Sequence, residues 1–238
     1  MKNNRRQFIK HSSAAIAGIT IVPRQVLGKG FTAPSDRFNV GVIGTGAQSS
    51  GLTKRIFKNT TARVIAASDV HKQRLERFSN LITEQHTMYG IKGSFEVHED
   101  YQHLLDHKDI DGIVVSTPDH WHAIPAIEAM KAGMHVYCEK PLSHTINEGR
   151  MMEQAARKYN RVLQTGSMQR SRDSFRKACE LVRNGYLGKI EKVWVEVGNP
   201  SAPCNLPYQA TPNYLNWERW VGPAPLRSYH KEIVESAR

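Results

Sequence analysis

Ile113–Leu142, IVVSTPDHWHAIPAIEAMKAGMHVYCEKPL, holds two strands and the helix between them. Ile113, Val114 and Val115 form an unbroken apolar run, the pattern of a parallel strand covered on both faces. Ser116-Thr117-Pro118 ends that strand with small hydroxyl groups at its carboxyl edge, where open α/β sheets bind ligands. Gly133 closes the helix, and Met134–Cys138 returns as a second strand ending on Glu139-Lys140-Pro141. A lysine at the end of a buried strand, beside a glutamate and stiffened by a proline, points to chemistry rather than to surface.

The same alternation extends in both directions. Arg37–Ile43 is an apolar strand that runs straight into Gly44-Thr45-Gly46-Ala47-Gln48-Ser49, and Leu52–Lys58 continues as a helix. Arg63–Ser68 is the next strand and ends at Asp69. His71–Tyr89 reads as a helix, with Leu75, Phe78, Leu81 and Ile82 at helical spacing. A short helical piece, Asp100–Leu105, precedes the strand at Ile113, and Arg161–Thr165 supplies a further strand. This order predicts a Rossmann-type doubly wound parallel sheet with right-handed crossovers over residues 36–166. After Gly166 the pattern changes. Ser174–Arg183 is helical, Glu191–Val197 alternates as an exposed strand does, and Asn199–Asn213 is an irregular loop. Trp217 and Trp220, at i and i+3, read as packing residues. Residues 167–238 therefore read as the start of an incomplete α+β substrate domain.

Gly44-x-Gly46-x-x-Ser49 follows a strand and opens a helix, the context a dinucleotide fingerprint requires. Gly44 permits the tight turn, and Gly46 lets a pyrophosphate approach the helix amino terminus beside Ala47 and Gln48. Ser49 in place of the usual third glycine predicts slightly looser helix–strand packing. Asp69 stands 25 residues after Gly44, placed to accept hydrogen bonds from a ribose diol. Its charge repels a 2′-phosphate, so NAD is expected in preference to NADP.

The chain has 238 residues and a net charge of +11. Six of its 33 basic residues fall in the first 30 positions, which hold no acid, leaving 27 basic against 22 acidic residues. That balance, with no long basic run and no zinc-finger spacing, argues against nucleic-acid binding. Arg5-Arg6 with Phe8, followed by the nine-residue stretch Ala14–Val22, reads as a twin-arginine leader over residues 1–30. The expectation is export by the twin-arginine machinery to the periplasm or bacterial cell envelope. Cys138, Cys179 and Cys204 have no metal spacing and read as small buried residues, a Cys179–Cys204 pair being the alternative. His120-Trp121-His122 admits zinc ligation, cofactor lining or helix capping, but with no third ligand nearby no metal site is expected.

With these pieces in order, the chain resembles the Gfo/Idh/MocA oxidoreductases, of the exported twin-arginine type. The resemblance rests on Gly44-Thr45-Gly46, Asp69, Thr117-Pro118 with His122, Ala132-Gly133 and Glu139-Lys140-Pro141, and covers roughly Arg37–Gly188. It implies that Thr117, Pro118, Asp119, Trp121 and His122 line the nicotinamide side of NAD. It implies too that Glu139 and Lys140 approach the ribose, and that Gln169 and Arg170 lie near the nicotinamide or substrate. Lys140 becomes the catalytic residue, relaying the proton of a sugar or polyol hydroxyl from a partly dry site. A cis Lys140–Pro141 bond is expected to aim its ammonium at the cleft. Relatives place an Asp/His pair and an oligomer-building sheet in the second domain. No such pair precedes Arg238, so the expectation is a fragment or shortened product that is homo-oligomeric when full-length. An NAD-dependent glycosidase and a non-catalytic dinucleotide-binding remnant are the competing readings.

Overall fold

A computed structural model describes residues 36–58, 61–198 and 205–235. The leader and Cys204 lie outside the described residues. Six strands form one parallel sheet: β1 (Phe38–Ile43), β2 (Ala62–Ser68), β3 (Glu96–His98), β4 (Gly112–Val115), β5 (His135–Glu139) and β6 (Leu163–Gly166). Their spatial order is β3-β2-β1-β4-β5-β6, the doubly wound order with its reversal between β1 and β4. The helices joining them are α1 (Ala47–Ile56), α2 (Lys72–Met88), α3 (Gln102–Leu105), α4 (Ala123–Lys131) and α5 (Ile146–Lys158). Beyond the sheet come α6 (Asp173–Arg183), α7 (Trp217–Val221) and α8 (Lys231–Glu235).

Alternating strand residues feed two cores. Val40, Val42, Val64, Ala67 and Val114 pack against Phe57, Leu75, Phe78 and Ile82 on the α1–α2 side. Ile43, Ile65, Ile113, Val115, Val136 and Cys138 pack against Ala126, Met130 and Met152 on the α4–α5 side. Strands covered on both faces need apolar residues at consecutive positions, which explains the runs in β1, β2 and β4. Gly41 lets the strands pack closely: a Cβ there would lie 2.7 Å from Ile113 Cδ1, so the core methyl groups would have to shift. The start of α5 is fixed by a reciprocal cap: Thr145 Oγ1 accepts from the Glu148 amide, and Glu148 Oε2 accepts from the Thr145 amide.

Four expectations change. The first helix begins at Ala47 rather than Leu52, directly after the glycine turn. Strand β3, only three residues long and half polar, carries too little periodicity to announce itself in sequence. Glu191–Val197 forms no strand, and residues 171–198 are exposed throughout. A single extended segment has no ladder partner to satisfy its backbone, so alternation alone cannot make it a strand. Cys179 is likewise exposed and free among the described residues, whereas Cys138 is buried, its thiol pushed up to about 12 by desolvation and then by the Glu139 charge.

Phe78 is 1% exposed at the centre of the α2 face. Phe78→Ala is expected to lower stability by about 3–5 kcal/mol in urea denaturation. Two histidines predict a pH dependence as well. Burial is the main cause holding His71 and His86 below the ordinary imidazole value, with nearby arginine charge adding to it. The unfolded chain then binds protons that the native state resists, so stability is full above about pH 6.5 and falls as pH drops below it. Urea midpoints measured across that range are expected to fall less steeply in His71→Gln/His86→Gln than in wild type.

Candidate cofactor-binding cleft

A cleft of about 1350 Å³ opens at the carboxyl ends of β1, β2, β4 and β5, over the point where strand order reverses. A smaller hollow of about 410 Å³ lies at the opposite edge, among Phe38, Asp111, Gly133 and His135. The larger cleft stands where open parallel sheets place their ligands.

The glycine turn forms its floor. Gly44 has φ +85°, and a Cβ there would come within 2.7 Å of the Ser116 carbonyl oxygen, so β1 and β4 meet only without a side chain. Gly46 differs: a Cβ there would meet nothing within 4 Å, leaving open space against the backbone. Gly46 caps α1 without a side-chain hydrogen bond, and the first turn of α1 holds no acidic residue. The free amides and the positive end of the helix dipole together suit an anionic group. Ser49, fully buried, donates its hydroxyl to the Gly44 carbonyl and so ties the first turn of α1 back to the glycine turn.

Asp69 is half-buried at the end of β2. Its Oδ2 accepts from the Thr45 amide at 2.7 Å and from Thr45 Oγ1 at 2.8 Å, while Oδ1 accepts from the His71 amide at 2.9 Å. A carboxylate offers about four lone-pair sites, which leaves roughly one, on Oδ1, for an incoming hydroxyl. Asp69 therefore holds the glycine turn in shape as well as presenting a charge to the cleft.

The far wall is built by β4 and β5. Ser116 Oγ and Thr117 Oγ1 are buried side-chain atoms without a hydrogen-bond partner. Orphaned hydroxyls in a cleft fit a ligand that brings its own donors and acceptors. Glu139 is 3% exposed and accepts from Gln48 Nε2 at 2.9 Å, Tyr137 OH at 3.3 Å and the Lys140 amide at 3.2 Å. Desolvation, followed by the Glu139 charge, pushes the Tyr137 phenol up to about 12. Glu139 thus ties β5 to α1 beneath the cleft.

Thr117, Pro118, Asp119, Trp121, His122, Glu139 and Lys140 all line the cleft, as do Gly44, Gly46, Ala47, Gln48 and Asp69. Gln169 does not: it sits in a 3-10 turn (Met168–Ser171) away from the lining. The His122 ring is buried, with Nδ1 2.6 Å from the Pro141 carbonyl oxygen and Nε2 2.9 Å from that of Thr117. It ties the β4 and β5 loops together. Among the described residues no group of three or more metal-ligating side chains comes together. The Lys140–Pro141 bond is cis. Lys140 is exposed at the lip of the cleft, not in a dry site, because nothing among the described residues covers the end of β5 there.

Sequence reasoning missed one wall. Tyr214, Arg219, Trp220, Ala224 and Glu235 also line the cleft, from a segment that docks back across the strand ends. Trp217 and Trp220 stack at 4.9 Å and 13° and pack with Leu215, Tyr229 and Val234. Their spacing revealed packing, but nothing local revealed against what.

The family model described as "Oxidoreductase family, NAD-binding Rossmann fold" matches residues 38–167, more than half of the chain. A "Glycosyl hydrolase family 109 protein" from Shewanella pealeana is 29% identical over 208 residues, covering 80% of this chain and 45% of that protein. "Uncharacterized oxidoreductase YrbE" from Bacillus subtilis is 29% identical over 171 residues, covering 72% of this chain and 47% of its own length. The chain thus spans less than half the length of these curated relatives. Among solved structures, myo-inositol 2-dehydrogenase from Lactobacillus plantarum superposes with a TM-score of 0.57 at 28% identity, covering 65% of this chain and 43% of the other. Scyllo-inositol dehydrogenase from Lactobacillus casei, with bound NAD(H) and scyllo-inositol, gives 0.55 at 28% identity, covering 64% and 42%. Glycine turn, strand order and sequence match agree: the chain belongs to the Gfo/Idh/MocA oxidoreductase family and carries its NAD-binding Rossmann fold.

Proposed function

We propose that this chain serves an NAD-dependent oxidoreductase acting on a sugar or polyol hydroxyl. The observation that carries this reading is Lys140, exposed at the carboxyl end of β5 and on the lip of the cleft that Gly46 leaves open. The inositol dehydrogenases among the structural neighbours support a polyol as the substrate class.

The residues divide the work. Gly46 and the first amides of α1 receive the pyrophosphate, and Asp69 Oδ1 accepts from a ribose hydroxyl. Gln48 and Glu139 keep the end of β5 in register with α1, so that Lys140 emerges at a fixed place. A nicotinamide, when bound, supplies the acceptor for a hydride from the carbinol carbon. Lys140, at the lip of the cleft and open to solvent, stands where a relay is needed to carry the proton that the hydroxyl loses out to water. Ser116 and Thr117 lend hydroxyls to the wall against which the reacting carbon is positioned. The Arg5-Arg6 pattern supports an envelope address reached through twin-arginine export.

The glycosyl hydrolase relatives support a second reading, NAD-dependent cleavage of a glycoside without net redox change. The two part in one assay. Polyol oxidation accumulates NADH absorbance, whereas glycoside cleavage releases nitrophenol from an aryl glycoside with no net NADH. Under the first reading, Lys140→Ala lowers polyol turnover by about 10²–10⁴-fold, the usual share of a proton-transfer group, with NADH affinity little changed. Unchanged turnover in that variant removes Lys140 from the mechanism. Asp69→Ala is expected to weaken NADH binding in titration and to speed amide exchange at Thr45 by about tenfold, as a hydrogen bond to a charged group is lost.

A further inference from the structure

The segment Tyr214–Glu235 is held at both sides of the cleft it lines. On the β2 side, the Lys72 amide donates to the Tyr214 carbonyl at 2.8 Å and the Asn216 amide donates to that of Val70 at 3.0 Å. These bonds flank an antiparallel bridge between His71 and Leu215. Farther along α2, the Arg74 guanidinium donates to the Val234 carbonyl at 3.0 Å. On the β4 side, Trp121 Nε1 donates to the carbonyl oxygens of Arg219 at 2.9 Å and Trp220 at 3.1 Å, while His120 Nε2 lies 2.9 Å from the same Trp220 oxygen. Asp100 pairs with Arg219 at 2.7 Å, and Asn216 Nδ2 donates to Glu99 Oε1 at 2.7 Å.

The sheet order makes these anchors informative. β1, with its glycine turn, lies between β2 and β4. A segment tied to the ends of both flanking strands, with Tyr214, Arg219, Trp220, Ala224 and Glu235 on the cleft lining, closes the cleft over that turn. We propose that Tyr214–Glu235 is a strap that retains the dinucleotide, and that Trp121 is the positioning residue that latches it. This rests on the dinucleotide reading above and extends it to how long the cofactor stays bound.

The latch has a built shape. Tyr101 meets the Trp121 ring edge-on at 6.0 Å and donates its hydroxyl to Glu128 of α4 at 2.7 Å, so the indole stands on the framework rather than on the strap. Gly222, at φ +50°, lies so close that a Cβ would overlap the indole ring. The strap seats on Trp121 only because position 222 has no side chain. At the Trp121 end, two hydrogen bonds and one close apolar contact hold the strap down, and that end can lift by releasing these local interactions without disturbing either sheet core.

Stopped-flow release of NADH, chased with excess NAD, tests the strap, with hydrogen exchange over residues 214–222 read in parallel. In Gly222→Ala the NADH dissociation rate is expected to rise by about tenfold while the association rate changes much less. Exchange is expected to quicken across the strap and to stay unchanged in β1 and β4. Asn216→Ala, outside the cleft lining, removes the bond to Glu99 and the cap on α7, and is expected to act in the same direction with smaller size. It decides the matter should Gly222→Ala fail to fold. Faster strap exchange with an unchanged NADH dissociation rate overturns the strap's role and leaves the dinucleotide reading intact. Wild-type protein that binds no NADH overturns both.

Discussion

At Gly44 there is no room for a side chain. The end of β1 turns against the Ser116 carbonyl so closely that one added carbon would force the two strand ends apart. That contact pins β1 to β4 where the sheet changes direction, and the cleft exists because crossovers leave from that point to opposite faces. The Gly44 amide also donates to the Ser68 carbonyl, and the Ser116 amide donates to that of Ile43, so the turn is held from both sides. Asp69 then fixes the next residue through its bonds to Thr45. The geometry available to an anion at Gly46 is a consequence of these ties.

A second constraint is the burial of polar groups beneath the cleft. Glu139 and His122 are nearly inaccessible, and each joins elements that meet only here. Glu139 links β5 to α1 through Gln48, and His122 reaches carbonyl oxygens of both the β4 and β5 loops. A buried carboxylate or imidazole is tolerated when its partners are in place, and the cost of losing one partner is high. The candidate residues thus fall into two kinds. Gly46, Asp69 and Lys140 present themselves to the cleft, whereas Glu139 and His122 hold the wall that positions them.

Much of this was legible in the sequence because parallel strands buried on both faces leave continuous apolar runs. VIAAS and GIVV can hardly be read otherwise, and the glycine turn after VGVI fixes where the cleft must open. The short edge strand β3 escaped because three half-polar residues carry no period. The alternation of Glu191–Val197 misled because a strand needs a neighbour, and sequence alternation does not supply one. Lys140 was placed correctly at a strand end, but its solvent exposure depends on which residues cover that end. The strap was the hardest to foresee, since its partners lie about a hundred residues away at Glu99, Asp100 and Trp121. Such long-range pairings leave only composition behind: two tryptophans a helical turn apart and a glycine at 222.

A dinucleotide is expected in the space at Gly46. Gly46 has φ −67°, which any residue adopts, and a Cβ there meets no protein atom within 4 Å, so Gly46→Val is expected to leave the fold intact. Calorimetric titration of NAD into the wild-type chain and into Gly46→Val, with thermal unfolding of both as the control, reads occupancy of that space directly. Binding by wild type, loss of binding in the variant and matching unfolding curves are expected. Equal NAD affinity in the two proteins would contradict a dinucleotide at Gly46.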